Sequence, residues 1–108
     1  MSTKNFKVDQ GADFGFSVAY DNGGTPLNWT TVDNVYMQIR DRDGNLLSDV
    51  SAYLVKESTV LTLAVPYTVT ADWTFHYAFY DILKVDNGVG ERVLQGKIRM
   101  NRAVSFVV

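Results

Sequence analysis

Apolar and polar residues alternate with a period of two along nearly the whole chain, and this confines the fold to sheets. Between residues 13 and 20, Phe14, Phe16, Val18 and Tyr20 fall on one face, and Asp13, Gly15, Ser17 and Ala19 on the other. Residues 35–40 repeat the pattern, with Val35, Met37 and Ile39 opposed to Tyr36, Gln38 and Arg40. Leu61, Leu63 and Val65 mark a further strand, which Pro66 ends because proline has no N–H to give a central ladder. Helical periodicity is almost absent. Residues 66–72 could hold one helical turn and read as a corner between sheets.

Residues 73–83 are the richest strand. Trp73, Phe75, Tyr77 and Phe79 share one face, and His76, Ala78, Tyr80 and Ile82 the other, so a central place in its sheet is expected. Within this reading Phe14, Phe16, Trp73, Phe75 and Tyr77 serve the core. In residues 91–101, Leu94, Gly96, Ile98 and Met100 face in, while Gln95, Lys97, Arg99 and Asn101 face out. The turns carry residues that tolerate positive φ: Asp21-Asn22-Gly23-Gly24, Asp41-Arg42-Asp43-Gly44-Asn45 and Asp86-Asn87-Gly88. Leu27 and Trp29 anchor the Pro26 loop into the core. Seven to eight short strands without a true helix predict an all-β fold, a two-layer antiparallel β-sandwich of immunoglobulin-like or jelly-roll-like form.

A chain of 108 residues is the size of one domain, and 46% hydrophobic with 20% charged residues is a globular composition. The expected single domain spans residues 1–108, with a short N-terminal arm (1–7) and an apolar C-terminal tail (103–108). Having no cysteine, the chain can form neither disulfides nor thiolate metal sites. A net charge of −2 gives no global attraction to nucleic acid or to an anionic membrane. The polar start shows no signal-peptide pattern and the apolar runs are short, so a soluble product of a cytoplasm is expected.

Candidate chemistry is sparse. His76 is the one histidine; a triad or a zinc site needs partners that the sequence does not place beside it. The segment Asp41-Arg42-Asp43-Gly44-Asn45 resembles the start of a calcium loop. It lacks the third ligand before the glycine and has Ala52 at the twelfth position, so it reads as a hairpin. Gly88-Val89-Gly90 precedes no helix that could cradle a phosphate, and Asn28-Trp29-Thr30 is a sequon without a secretory route. No catalytic residue, cofactor or metal is expected, and the chain reads as no enzyme. Lys97 and Arg99 can form a small basic strip. A nucleic-acid binder would show more cations with interleaved aromatics, so no nucleic acid is expected as a partner. The apolar tail either closes the chain's own sheet as an edge strand or adds to a neighbouring chain.

Three segments carry a family resemblance: VDQGADFGFSVAYDNGGTPLNW from Val8, VYMQIRDRDGNLLSD from Val35 and FYDILKVDNGVGERVLQGKIRMNRAVS from Phe79. In this order they resemble small bacteriophage virion β-sandwich proteins, encoded among head and tail genes and similar to the N-terminal sandwich modules of baseplate and tail proteins. The resemblance implies a non-enzymatic structural protein located in the virion and made in a bacterial host cytoplasm. A capsid decoration (cement) protein that bridges coat subunits is the leading expectation. A tail, neck or baseplate adaptor is the alternative, and a small carbohydrate- or ligand-binding sandwich using Trp29, Tyr53 or Tyr67 is a third. Expected partners are the major capsid protein and copies of the chain itself, as dimer or trimer, and no membrane. Expected contact residues are Phe6, Lys97, Arg99, Arg102, Phe106, Val107 and Val108.

Overall fold

A computed structural model describes residues 2–102. In chain order its strands are β1 (Ser2–Thr3), β2 (Phe6–Asp9), β3 (Phe14–Val18), β4 (Asp21–Asn22), β5 (Thr25–Pro26), β6 (Asn34–Arg40), β7 (Leu46–Asp49), β8 (Leu54–Lys56), β9 (Leu61–Val65), β10 (Tyr77–Asp86) and β11 (Val89–Asn101). One short helix, α1 (Tyr67–Thr70), lies between β9 and β10. Nine strands form two sheets, and β4 and β5 make a separate ribbon. The six-stranded sheet runs β1-β11-β10-β6-β7, with β2 beside β1 on the free side of β11; the other sheet is β3-β9-β8. The order β11-β10-β6-β7 against β3-β9-β8 is that of an immunoglobulin-like sandwich, strands G-F-C-C′ against B-E-D.

The core fills the space between the sheets. Met37, Ile39, Ile82 and Ile98 from the large sheet meet Leu61, Leu63 and Val65 from the small one, and Trp29 is fully buried among them. Aromatic rings close one flank: Phe6 stacks on Phe16 at 4.3 Å, and Phe14 meets Trp73 edge-on at 6.4 Å. Polar ties fix the corner. Thr70, without solvent exposure, donates its hydroxyl to the Ala12 carbonyl at 2.8 Å and accepts from Gly11 N–H at 3.1 Å. The Asp13 carboxylate accepts from Tyr67 N–H at 2.8 Å, occupying a donor that the helix start leaves free.

Three expectations are corrected. The sandwich holds nine strands instead of seven to eight, because the expected N-terminal arm (1–7) contributes β1 and part of β2. Both run parallel to β11, so the large sheet is not purely antiparallel. A Cβ at Gly96 would collide with the Lys4 carbonyl; its absence lets the arm kink inward there, where that carbonyl accepts from the Tyr80 hydroxyl at 2.6 Å.

The third correction concerns the aromatic strand. It begins at Tyr77, and its inward residues are Ala78, Tyr80 and Ile82; Tyr77 and Phe79 face outward. Both faces of this segment carry apolar rings, so alternation does not say which of them meets the core; β10 itself alternates without interruption, and the β-bulge lies in its partner β11. Leu83 pairs with Arg92, yet Ile82 pairs with Leu94, leaving Val93 as an extra residue. Val93 and Leu94 are both buried, and the shift changes the alternation of β11 alone, which sets Lys97 and Arg99 beside Phe79 and Tyr77. The expected tail at residues 103–108, with Phe106, Val107 and Val108, lies outside the described residues.

Candidate functional site

The outward face of the large sheet is where exposed aromatic and cationic side chains meet. Residues directly opposite on neighbouring strands share a face, so the register defines its rows. Tyr77 lies opposite Arg99, which lies opposite Lys7. In the next row Phe79 sits between Arg40 and Lys97. These rows, about 7 Å apart along the strands, hold four cations, two rings and no acid. A third row places Asp81 between Gln38 and Gln95, and a fourth places Leu83 between Tyr36 and Arg92.

Local bonds hold several of these groups in place. Arg40 donates to the Gly44 carbonyl at 2.8 Å and to the Gln38 side chain at 2.7 Å, which directs its guanidinium along the sheet. The Lys97 ammonium stands 5.9 Å from the Phe79 ring centre, a cation–π distance. Arg92 pairs with Asp81 at 2.8 Å, so the acid of the third row is already matched. Tyr77 is 60% exposed and Phe79 38%, high values for large rings on a sheet. A shallow hollow of about 710 Å³ lies over the face and includes Arg40, Phe79, Gln95 and Lys97 in its lining.

A second hollow, of about 610 Å³, lies under the hairpin loop and brings Asp41, Arg42 and Asp43 near His76 and Tyr77. The Asp41 carboxylate is turned back on its own loop. It accepts from the N–H groups of Asp43 and Asn45 at 2.9 Å each and from the Asn45 amide at 3.0 Å. The Asn45 side chain foremost, with these backbone donors, holds its pKa below the usual carboxylate value. The loop is thus a self-satisfied turn closed by Gly44 at φ +86°, as its sequence implies. Among the described residues no three His, Asp or Glu side chains gather as metal ligands.

The expected contact residues are dispersed. Lys97 and Arg99 do face outward, side by side on β11, and join the strip. Arg102 is exposed at the end of that strand, 3.4 Å from the Thr74 carbonyl. Phe6 is half-buried against Phe16 and Phe14, so its ring serves the fold and is not free for a partner. Trp29 is fully buried, which removes it from a carbohydrate platform; Tyr53 is half-buried and Tyr67 exposed. Tyr77 was assigned to the core by alternation and belongs to the surface, together with Phe79 on the same face. The cross-strand cations Lys97 and Arg99 were the available clue to that face.

A second exposed apolar surface lies at the lateral edge. There the chain leaves β7, passes a 3-10 turn at Ser51–Tyr53 and enters β8. Leu46 is exposed opposite Arg40 on the outer face of the large sheet, Val55 opposite Thr62 on the outer face of the small one, and Leu47 is exposed on β7. Among the described residues no helix is long and apolar enough to cross a membrane. No protein-family model matches the chain, and no curated protein matches it.

Proposed function

We propose that this chain is a non-enzymatic structural protein of a bacteriophage particle, a decoration protein that bridges coat subunits of the head. The observation that carries the reading is the set of large apolar side chains left outside a complete core. Tyr36, Tyr77 and Phe79 lie on the outer sheet face, and Leu46, Leu47 and Val55 at the β7–β8 edge. Aromatic rings alternating with arginine are the composition of protein contact surfaces, where such residues contribute most of the binding energy. The order of the three sequence segments, which resembles that of virion sandwich proteins, adds the setting. Many copies on one lattice would stabilise it by mass action, each contact weak and the sum large. The same surfaces would serve in a tail, neck or baseplate joint, the second reading that the resemblance supports.

The test is co-sedimentation of the purified chain with phage heads that lack it. The expected outcome is saturable binding, weakened at least about tenfold by Leu47→Asp combined with Val55→Asp, since two buried apolar contacts become desolvated charges. Binding to no head or tail preparation would refute the reading.

A further inference from the structure

The two ends of the β10–β11 hairpin are opposite in charge and alike in exposing apolar groups. At the open end lies the strip of Lys7, Arg40, Lys97 and Arg99 around Tyr77 and Phe79. The chain has ten cations and twelve acids, so these four leave six cations against twelve acids elsewhere, a balance of −6.

Part of that excess gathers about 30 Å away, nine strand residues along, at the hairpin tip. Asp33 accepts from Asn87 N–H at 3.0 Å, which brings it to the tip beside Asp86. Glu91 accepts from the Tyr20 hydroxyl at 2.5 Å, which brings in the neighbouring Asp21. The nearby cations are Lys84, 3.1 Å from Glu91, Arg92, which pairs with Asp81, and Lys56, which donates to the Val32 carbonyl beside Asp33. At this end Val89 projects with 67% exposure, the highest of the large apolar residues described.

We propose that the outer sheet face takes the hairpin tip of a second copy of this chain, in a head-to-tail contact that repeats from copy to copy. Val89 would cover the Tyr77 and Phe79 rings, and the acids around it would meet Lys97, Arg99 and Lys7. The surroundings favour a folded acidic partner over a polyphosphate. The strip is only two rows wide and is bounded by Asp9 in the next row on one side and Asp81 on the other. Asp41 and Asp43 overhang its end, where a longer phosphate backbone would have to pass. A head-to-tail repeat closes as a ring of three or more or continues as a filament; a reciprocal two-fold dimer, each tip on the other's strip, is the arrangement the proposal excludes, and sedimentation separates the two. This rests on the contact role proposed above and names one partner for it.

The test is sedimentation velocity of the full chain across a concentration series in low and high sodium chloride. Expected are species larger than a dimer at about 50 mM salt, with self-affinity falling by roughly tenfold or more at about 500 mM. Lys97→Glu combined with Arg99→Glu should be monomeric, as should Asp21→Lys combined with Asp86→Lys. An equimolar mixture of these two reversed chains should associate again, because each supplies the charge that the other requires. A wild-type chain that stays monomeric, association limited to a dimer or insensitive to salt, or reversed variants that fold but fail to rescue each other would each overturn the proposal. None of these readouts involves a phage particle, so failure here and failure of head binding are separate results.

Discussion

Tyr80 shows how one residue links the two ends of the chain. Its ring belongs to the core, and its hydroxyl holds the kinked N-terminal segment through the Lys4 carbonyl. Burial raises the phenol pKa above its usual value near 10. A group with a raised folded-state pKa contributes stability that is complete below the unfolded value and is lost as pH climbs above it. Tyr80→Phe should therefore cost about 1 kcal/mol at neutral pH from the lost hydrogen bond, and its stability should fall less steeply above about pH 10. Urea unfolding at neutral and alkaline pH measures both; identical alkaline slopes would contradict this role. Thr70 is a second such residue. Thr70→Val strands the Ala12 carbonyl and Gly11 N–H and should cost about 2 kcal/mol, whereas Thr70→Ser, which keeps the hydroxyl, should cost about half as much in the same assay. Roles of this kind were partly legible in the sequence: Trp29 reads as an anchor and is one. Nothing in a string of letters tells that Thr70 faces Ala12 across 58 residues.

At the scale of elements, turns and periodicity placed most strands correctly; what they missed was which aromatic face of β10 meets the core and how β11 is in register with it. Counting outward from the Asn87-Gly88 turn without interruption sets Phe79 opposite Gly96 and Tyr77 opposite Ile98, all facing the core. The extra residue at Val93 moves those partners to Lys97 and Arg99, so the rings of β10, which itself alternates without interruption, share the solvent face with cations. A bulge is set by how the sheets must twist and pack, so the local alternation carries no mark of it. The N-terminal strand was missed for a related reason. Parallel pairing with the last strand needs no local turn signal, and Gly96, which permits it, reads as an ordinary small inward residue. Gly96→Ala should push the Lys4 carbonyl away and cost about 1–3 kcal/mol, as overpacking does. Hydrogen exchange should localise the lost protection to residues 2–9. Uniform loss, or none, would show that the arm does not depend on this close approach.

For the whole molecule, the sandwich buries one face of each sheet and leaves the outer face of the large sheet and the β7 and β8 edge strands open. Its exposed surface carries aromatic rings among arginines and lysines on one face, aliphatic residues on the β7 and β8 edge strands, and acids around one tip. Two cations of the candidate site, Lys97 and Arg99, were legible in the sequence because they alternate on one strand; Lys7 and Arg40 join them from other strands. The rings beside them were not, because their strand is apolar on both faces, and the acidic tip was not, because Asp21, Asp33 and Glu91 come from three separate segments. The central claim is that these surfaces build a particle. Electron microscopy of phage particles produced with and without this chain tests it most directly. The predicted result is density for a two-sheet body at regularly repeated positions on the head shell, lost when the chain is absent. Particles of identical density in both preparations, with the chain recovered only in the unassembled fraction, would contradict it.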